Sequence, residues 1–287
     1  MSQISCMSFN ILACDTHQHG WELPSKRLAY VMETIRMEDP DLLGIQEACD
    51  QPCKPEKIAE RGCEMNWCET MLKTVPELGY EAVALRDQQG FVKEKMSIGC
   101  GLIIYYKKDR FEKLEDGCEV FGHDTARYFQ WVKLLDKKYN RKVLFTNTHF
   151  SINPKVGDTK SGMAGEAYRT TQAVKLLKFW LKNCEEDTAL FATGDYNSIP
   201  TSNAQTLLRS QQFKPSQIIA ERSDERGTVH LKKISHTIDY CYVNPTAQNV
   251  KEYKVMANRF DATPTEQFPR AGYASDHRAI MTYCDYK

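Results

Sequence analysis

Eight side chains able to hold a cation or move a proton stand where apolar, strand-like runs end: Asn10, Glu47, His149, Asp195, Asn197, Asp239, Asp276 and His277. Carboxylate and amide oxygens suit a hard divalent cation, and an imidazole beside a carboxylate can keep or pass on a proton. Together they suit metal-assisted attack of water on phosphorus. Singly they carry little weight, because a strand-end Asn is usually a turn former and a lone Glu a solvated loop residue. The joint pattern is more specific. Three segments, residues 190–197, 237–240 and 273–277, repeat one grammar of an apolar run followed by a tight acidic cluster.

The elements that must position these groups can be read from periodicity. Residues 3–12 form an apolar, β-prone run through Asn10. Leu28, Val31, Met32 and Ile35 recur at helical spacing, so a helix is predicted from Pro24 to the stop at Asp39-Pro40. A short strand over 42–45 delivers Gln46-Glu47. Residues 49–68 read as an irregular, Cys-rich insertion, followed by a short helix before Pro76. Strands are predicted near 80–85, 97–106 and 127–135. Over 142–149, Val143, Phe145, Asn147 and His149 share one face. A helix from about 165 to 183 should bury Ala173, Val174, Leu177, Trp180 and Leu181, and a buried strand over 188–193 leads to Asp195. Thr201-Ser202 should cap a short helix carrying Leu207 and Leu208, and residues 236–243 and 279–283 are the last strands. Strands and helices mix without a strict βαβα rhythm. That favours two sheets packed face to face with outer helices, one domain over residues 1–287.

Of the 287 residues 41% are apolar, enough for a substantial core, and 38 basic residues balance 38 acidic ones. Zero net charge argues against a protein that coats bulk nucleic acid but permits a local basic cleft. Eleven cysteines leave at least one unpaired. They are expected to be mainly reduced, buried small hydrophobes of a cytosolic or nuclear protein. No apolar run reaches the length of a membrane span, the first residues lack a secretory layout, and a monomer is expected.

Six stretches carry a family resemblance: Ser8-Phe9-Asn10-Ile11-Leu12, Gly44-Ile45-Gln46-Glu47, Asn147-Thr148-His149, Gly194-Asp195-Tyr196-Asn197-Ser198, Ile238-Asp239-Tyr240 and Ser275-Asp276-His277. In this order, over almost the whole chain, they resemble the deoxyribonuclease I-like endonuclease/exonuclease/phosphatase superfamily, and residues 9–47 and 147–149 resemble its deadenylase-like and small bacterial-type branch. The resemblance implies a four-layered α/β sandwich, two mainly antiparallel sheets flanked by helices. It also implies a magnesium-dependent phosphoester hydrolase, with manganese as the expected substitute.

Chemistry and the family pattern then suggest roles. Glu47 is the first choice as metal ligand. Asn10 either orients that carboxylate or binds the metal through its amide oxygen, and Asp276 is a further ligand. Asp195 and Asn197, two apart, face one way in an extended stretch; in the family this pair holds the attacking water and a phosphate oxygen. His277 with Asp239 resembles an imidazole–carboxylate pair, able to act as general base or to stay protonated and stabilise the transition state. His149 is a candidate donor to a non-bridging oxygen, beside Asn147 as a substrate-binding residue. Arg127 is a candidate phosphate clamp, weighed evenly against a solvated arginine.

Other features weigh less. Cys49, Cys53, Cys63 and Cys68 lack the tight spacing of a strong zinc site, and free thiols or local disulfides are the plainer expectation. His17 and His19, with Trp21, sit in a loop opening toward the site, and Lys155 and Lys160 belong to a loop after His149. The expected substrate is a phosphodiester in nucleic acid or a nucleotide. The alternatives are a phosphoinositide or sphingomyelin head group, or an inactive binding module on the same fold.

Overall fold

Period-2 alternation decides the architecture, because a strand with apolar residues on both faces must be covered on both. The computed structural model describes residues 3–12, 22, 24–48, 66–83, 101–121, 127–152, 161–229, 236–256, 260, 263–266 and 270–286, without the side chains of 24 and 161–164. His17, His19, Trp21, Cys49, Cys53, Cys63, Lys155 and Lys160 lie outside the described residues.

The described elements follow in the order β1 (Gln3–Asn10), α1 (Pro24–Glu38), β2 (Leu42–Gln46), α2 (Trp67–Thr74), β3 (Tyr80–Val83), β4 (Leu102–Lys107), β5 (Phe111–Val120), β6 (Tyr128–Asp136) and β7 (Arg141–His149). They continue through α3 (Ser161–Asn183), β8 (Ala189–Asp195), α4 (Asn203–Arg209), β9 (Lys214–Pro215), α5 (Ser216–Ile219), β10 (Arg222–Ser223), β11 (Asp239–Val243), β12 (Asn249–Val255) and β13 (Ile280–Asp285). One sheet has the order β10-β12-β13-β1-β2-β4-β3 and the other β5-β6-β7-β8-β11-β9. Most neighbours are antiparallel; β1–β2, β7–β8 and β10–β12 are parallel.

Three apolar layers separate four layers of structure. Between the sheets lie Ile4, Cys6, Leu42, Ile104, Phe145, Phe191, Cys241 and Ile280. Outside the first sheet, Met7, Phe9, Leu43 and Ile45 pack against Val31 and Ile35 of α1 and Trp67 and Met71 of α2. Outside the second, Leu144, Leu190 and Ala192 pack against Ala173, Leu176 and Trp180 of α3 and Leu208 of α4. Each fully buried side chain of this kind contributes roughly 1.5–3 kcal/mol of transfer free energy. This is the expected four-layered α/β sandwich.

The differences from expectation are local. Val174 and Leu181 are 36% and 49% exposed. The buried stripe of α3 runs Ala173, Leu176, Leu177, Trp180, and Val174 and Leu181 are turned about 100° from Ala173 and Trp180, out of it. Four strands were not foreseen: β5, β12 and the two-residue β9 and β10. β5 is an edge strand with mostly exposed or half-exposed residues, so it carries little apolar alternation. A register shift between Val250 and Glu252 breaks the pattern of β12. His236 lies outside β11, in an isolated bridge with Val229. Ser202 caps α4 as expected, accepting a hydrogen bond from Gln205 N at 3.2 Å. Cys6, Cys118, Cys184, Cys241 and Cys284 are free thiols, and Cys68 is buried on α2.

Candidate active site

Along the inward faces, apolar residues give way to polar ones toward one end of the sandwich. In β7 the inward row is Val143, Phe145, Asn147, His149; in β8 it is Ala189, Phe191, Thr193, Asp195; in β1 it is Ile4, Cys6, Ser8, Asn10. Parallel pairing puts the last residues of β7 and β8 level, and antiparallel pairing brings the first residue of β11 to the same place. His149, Asp195 and Asp239 therefore form one row across three strands. Asn10, level with Gln46 in the first sheet, reaches across to this row.

Asp195 is the centre. Its Oδ2 accepts a hydrogen bond from Asn10 Nδ2 at 3.0 Å and lies 3.4 Å from His149 Nε2 and 3.7 Å from His277 Nε2. Its Oδ1 accepts from the backbone N–H of Asn197 at 2.8 Å. Asn10 Nδ2 also donates to Glu47 Oε1 at 3.0 Å, and His149 Nε2 is 3.9 Å from that oxygen. On the far side, His277 Nδ1 meets Asp239 Oδ2 at 2.9 Å while Nε2 is 4.0 Å from Asp276 Oδ1. Leu12, Glu47 and Asn197, each just past a strand end at this site, have left-handed backbones with φ of 49°, 61° and 46°. Such conformations in non-glycine residues are costly and persist where surrounding contacts impose them.

Burial and charge set the protonation states. Burial pushes the Asp195 carboxyl up; the His277 charge opposes this, Asp239 reinforces it, and the result is about 7. Burial alone would strip His277 of its proton, but the charges of Asp239 and Asp195 and the Asp239 hydrogen bond outweigh it, so its pKa stands well above the usual imidazole range. His149 goes the other way: burial, then the charges of Arg127 and His277, hold it well below that range. His149 is therefore a neutral imidazole despite the carboxylates nearby, and among the described residues neither ring nitrogen has a hydrogen-bond partner. Arg127 stands close enough to act on both His149 and Glu47, and its buried Nη1 has no partner among the described residues.

A cation fits this arrangement. Four carboxylates, Glu47, Asp195, Asp239 and Asp276, face one charged imidazole and Arg127. The Glu47 carboxyl is pushed up by burial and by Asp276, against the Asn10 hydrogen bond and the charges of His277 and Arg127. Donor atoms of Glu47, His149 and Asp195 lie within 4.8 Å of one another. The opposite end of the sandwich balances its charges differently: Arg110 bridges Asp136 at 2.7 Å and Asp41 at 2.8 Å.

Two of the expected residues are hydrogen-bonded to the protein itself. Asn147 lies between the two sheets. It is fully buried, its Nδ2 donates to Ile45 O at 2.8 Å, and its Oδ1 accepts from Gln46 Nε2 at 2.7 Å and Thr193 Oγ1 at 3.3 Å, so it ties the two sheets together. Asn10 turns its nitrogen to the Glu47 and Asp195 carboxylates at 3.0 Å each, while its Oδ1 accepts from Leu12 N at 3.0 Å. Asn147→Ala should therefore cost stability, about 1–3 kcal/mol for the unpaired Gln46 amide and Ile45 carbonyl, and leave KM unchanged. Urea unfolding and steady-state kinetics check this, and a raised KM with unchanged stability would restore the binding role.

Gln46 and Thr228 were missed as positioning residues. Gln46 sits inside a motif that drew attention to its neighbour. Thr228 Oγ1 accepts from Ile238 N and Asp239 N at 3.1 and 3.2 Å, which fixes the start of β11. It follows no motif, and only the loop's return to β11 gives it that role.

Comparison with known proteins agrees with this geometry. The model of the endonuclease/exonuclease/phosphatase family matches residues 7–277. No match is found among curated proteins. An endonuclease/exonuclease/phosphatase family protein of Bacteroides thetaiotaomicron superposes with a TM-score of 0.74 at 18% identity, over 100% of this chain and 98% of that one. A mannosyl-6-phosphatase of the same organism gives 0.73 at 19% identity, covering 99% and 100%. The human nocturnin catalytic domain with bound sulfate gives 0.69 at 19% identity, covering 100% and 94%.

Proposed function

The chain belongs to the endonuclease/exonuclease/phosphatase family and is a phosphoester hydrolase; we propose that it works by in-line attack of water on phosphorus with magnesium, on a phosphodiester of a nucleic acid or nucleotide. The observation that carries the mechanism is the placing of Asp195 within 4 Å of two histidines in opposite protonation states.

Asp195, with a pKa near that of a neutral solution, suits the role of general base for a water held beside Asn197. His277, kept charged by Asp239, stabilises the negative charge that grows on the phosphoryl oxygens. Neutral His149 has an uncommitted N–H to give a non-bridging oxygen, and such donors count most where charge develops in the transition state. Arg127 adds a positive charge on the same side. Magnesium, or manganese in its place, would be held by Glu47 with Asp276, and would offset charge on the leaving or non-bridging oxygens. The substrate reading is supported by the resemblance of residues 9–47 and 147–149 to the deadenylase-like branch. Hydrolysis of bis-p-nitrophenyl phosphate and labelled oligonucleotides with magnesium or manganese, and none with chelator, is the expected result. Undiminished activity in chelator would refute the metal requirement.

Cation binding is also testable without turnover. The Glu47 carboxyl is raised in the fold, so its charge costs stability increasingly as pH climbs from the unfolded value through the folded one. A bound cation relieves that cost. Magnesium at about a hundred times its Kd should raise the melting temperature by about 5 °C at pH 7.5, less at pH 5, and hardly at all in Glu47→Gln. An equal shift in Glu47→Gln would remove Glu47 from the metal site.

A further inference from the structure

Beside the reaction centre lies a cleft of about 460 Å³ between α3 and the loop leading into α4, walled by Glu166, Arg169, Asn197, Ile199, Thr201 and Asn203. Asn197 belongs to both places: its backbone N–H holds Asp195, and its side chain lines the cleft. A phosphorus atom in front of Asp195 would therefore stand beside this space. The volume falls within the roughly 300–1,000 Å³ typical of small-molecule sites.

The walls define what fits. The one cation and the one anion neutralise each other: Arg169 Nη2 meets Glu166 Oε2 at 3.0 Å and Nη1 donates to Ser151 O at 3.2 Å. Glu166 Oε1 accepts the Asn203 N–H at 2.8 Å, which fixes the pair across α3 and α4. The guanidinium is thus committed, and the described residues of the cleft carry no excess positive charge for a second phosphate. Among the described residues no aromatic ring lines it, so these walls offer a nucleobase no stacking platform. What remains is the half-exposed aliphatic side chain of Ile199 among the hydroxyl and amide groups of Thr201, Asn197 and Asn203. An apolar surface edged by neutral donors and acceptors matches a ring with an aliphatic face and a rim of hydroxyls.

We propose that this cleft is a substrate subsite that takes an uncharged sugar ring esterified to the reacting phosphate. The proposal rests on the hydrolase reading above and narrows it. The sugar can be a hexose carrying a phosphomonoester or the ribose of a nucleotide, and both present the same hydroxylated ring.

The test compares wild type and Thr201→Trp, which fills the cleft from an exposed position, with magnesium on a hexose 6-phosphate, the dinucleoside phosphate ApA, and methyl phosphate, whose leaving group is too small to reach the cleft. Wild type should hydrolyse at least one sugar ester, and the variant should lose tenfold or more in its kcat/KM, mainly through KM. Methyl phosphate turnover should stay within twofold. Loss confined to the hexose ester identifies a sugar-phosphate site, and loss confined to ApA a ribose site. Equal losses on methyl phosphate and the sugar esters, or no loss on either ester, overturn the subsite. Hydrolysis of methyl phosphate with neither ester turned over also overturns it while leaving the hydrolase reading intact. Failure on every phosphoester overturns both. Ile199→Ala, a milder change, should raise KM for the same sugar ester severalfold, which separates a subsite from a Trp-induced distortion.

Discussion

Asp195→Asn should abolish turnover and yet make the metal-free protein more stable. The two expectations share one cause. Burial and the charges of Asp239 and Glu47 raise the Asp195 carboxyl to about 7, against the His277 charge and the Asn197 N–H. Its folded pKa thus exceeds the unfolded one, so the ionised side chain costs stability. The cost is absent below the unfolded value near 4, builds as pH rises, and is complete above about 7. An amide of the same shape removes the buried charge. It also lacks one acceptor oxygen, so either Asn10 Nδ2 or Asn197 N loses its bond. The net gain at pH 8 should be on the order of 2 kcal/mol, and it should vanish near pH 4. The same amide cannot take a proton from water, so kcat should fall by about two to four orders of magnitude. Calorimetry in chelator, at pH 4 and pH 8, together with assays in magnesium, reads both effects. A variant that is as active as wild type, or less stable at pH 8, contradicts this account of the site.

His277→Ala should lower kcat to a similar extent, about two to four orders of magnitude, but with the opposite effect on stability. Burial disfavours its charge, yet Asp239, Asp195 and the Asp239 hydrogen bond prevail. Its folded pKa is raised, so the stability it contributes is fully present below the unfolded imidazole pKa and is lost as pH rises through the folded one. Alanine leaves Asp239 buried without its counter-charge, and the variant should be less stable than wild type at pH 6, with the gap closing at alkaline pH. Asp239→Asn separates charge from mere presence. It keeps the ring and weakens its hold on the proton, so the alkaline limb of the pH–rate profile should move to lower pH. The acid limb belongs to Asp195 and should move down when a cation binds nearby. An unmoved alkaline limb in Asp239→Asn would show that His277 does not act as a charged group.

Much of the fold was legible because alternation and helical spacing are local. The alternation over 142–149 and the buried run over 188–193 marked strands of a sheet, and the helices over 24–38 and 161–183 cover the sheets from outside. The edge strand β5 escaped because most of its residues are exposed, and the register shift hid β12. In the site, the polar residues at strand ends were visible one by one. Their meeting was inferred from their order along the chain, and parallel and antiparallel pairing then made it a row of His149, Asp195 and Asp239.

The sequence by itself determined the family the chain belongs to, and it marked the polar residues at the strand ends as candidates, since both depend on residue types in a fixed order. Partners and charge were decided by the tertiary structure. Asn147 and His149 share one face of one strand, yet Asn147 is spent holding the sheets together and His149 is left with two uncommitted nitrogens. His149 and His277 are the same residue type within reach of the same carboxylate, yet one is neutral and the other charged. The difference is what stands behind each ring: burial with Arg127 and His277 for the first, and the Asp239 carboxylate at 2.9 Å for the second. A side chain's protonation depends on the field at its position, and only the packed chain creates that field.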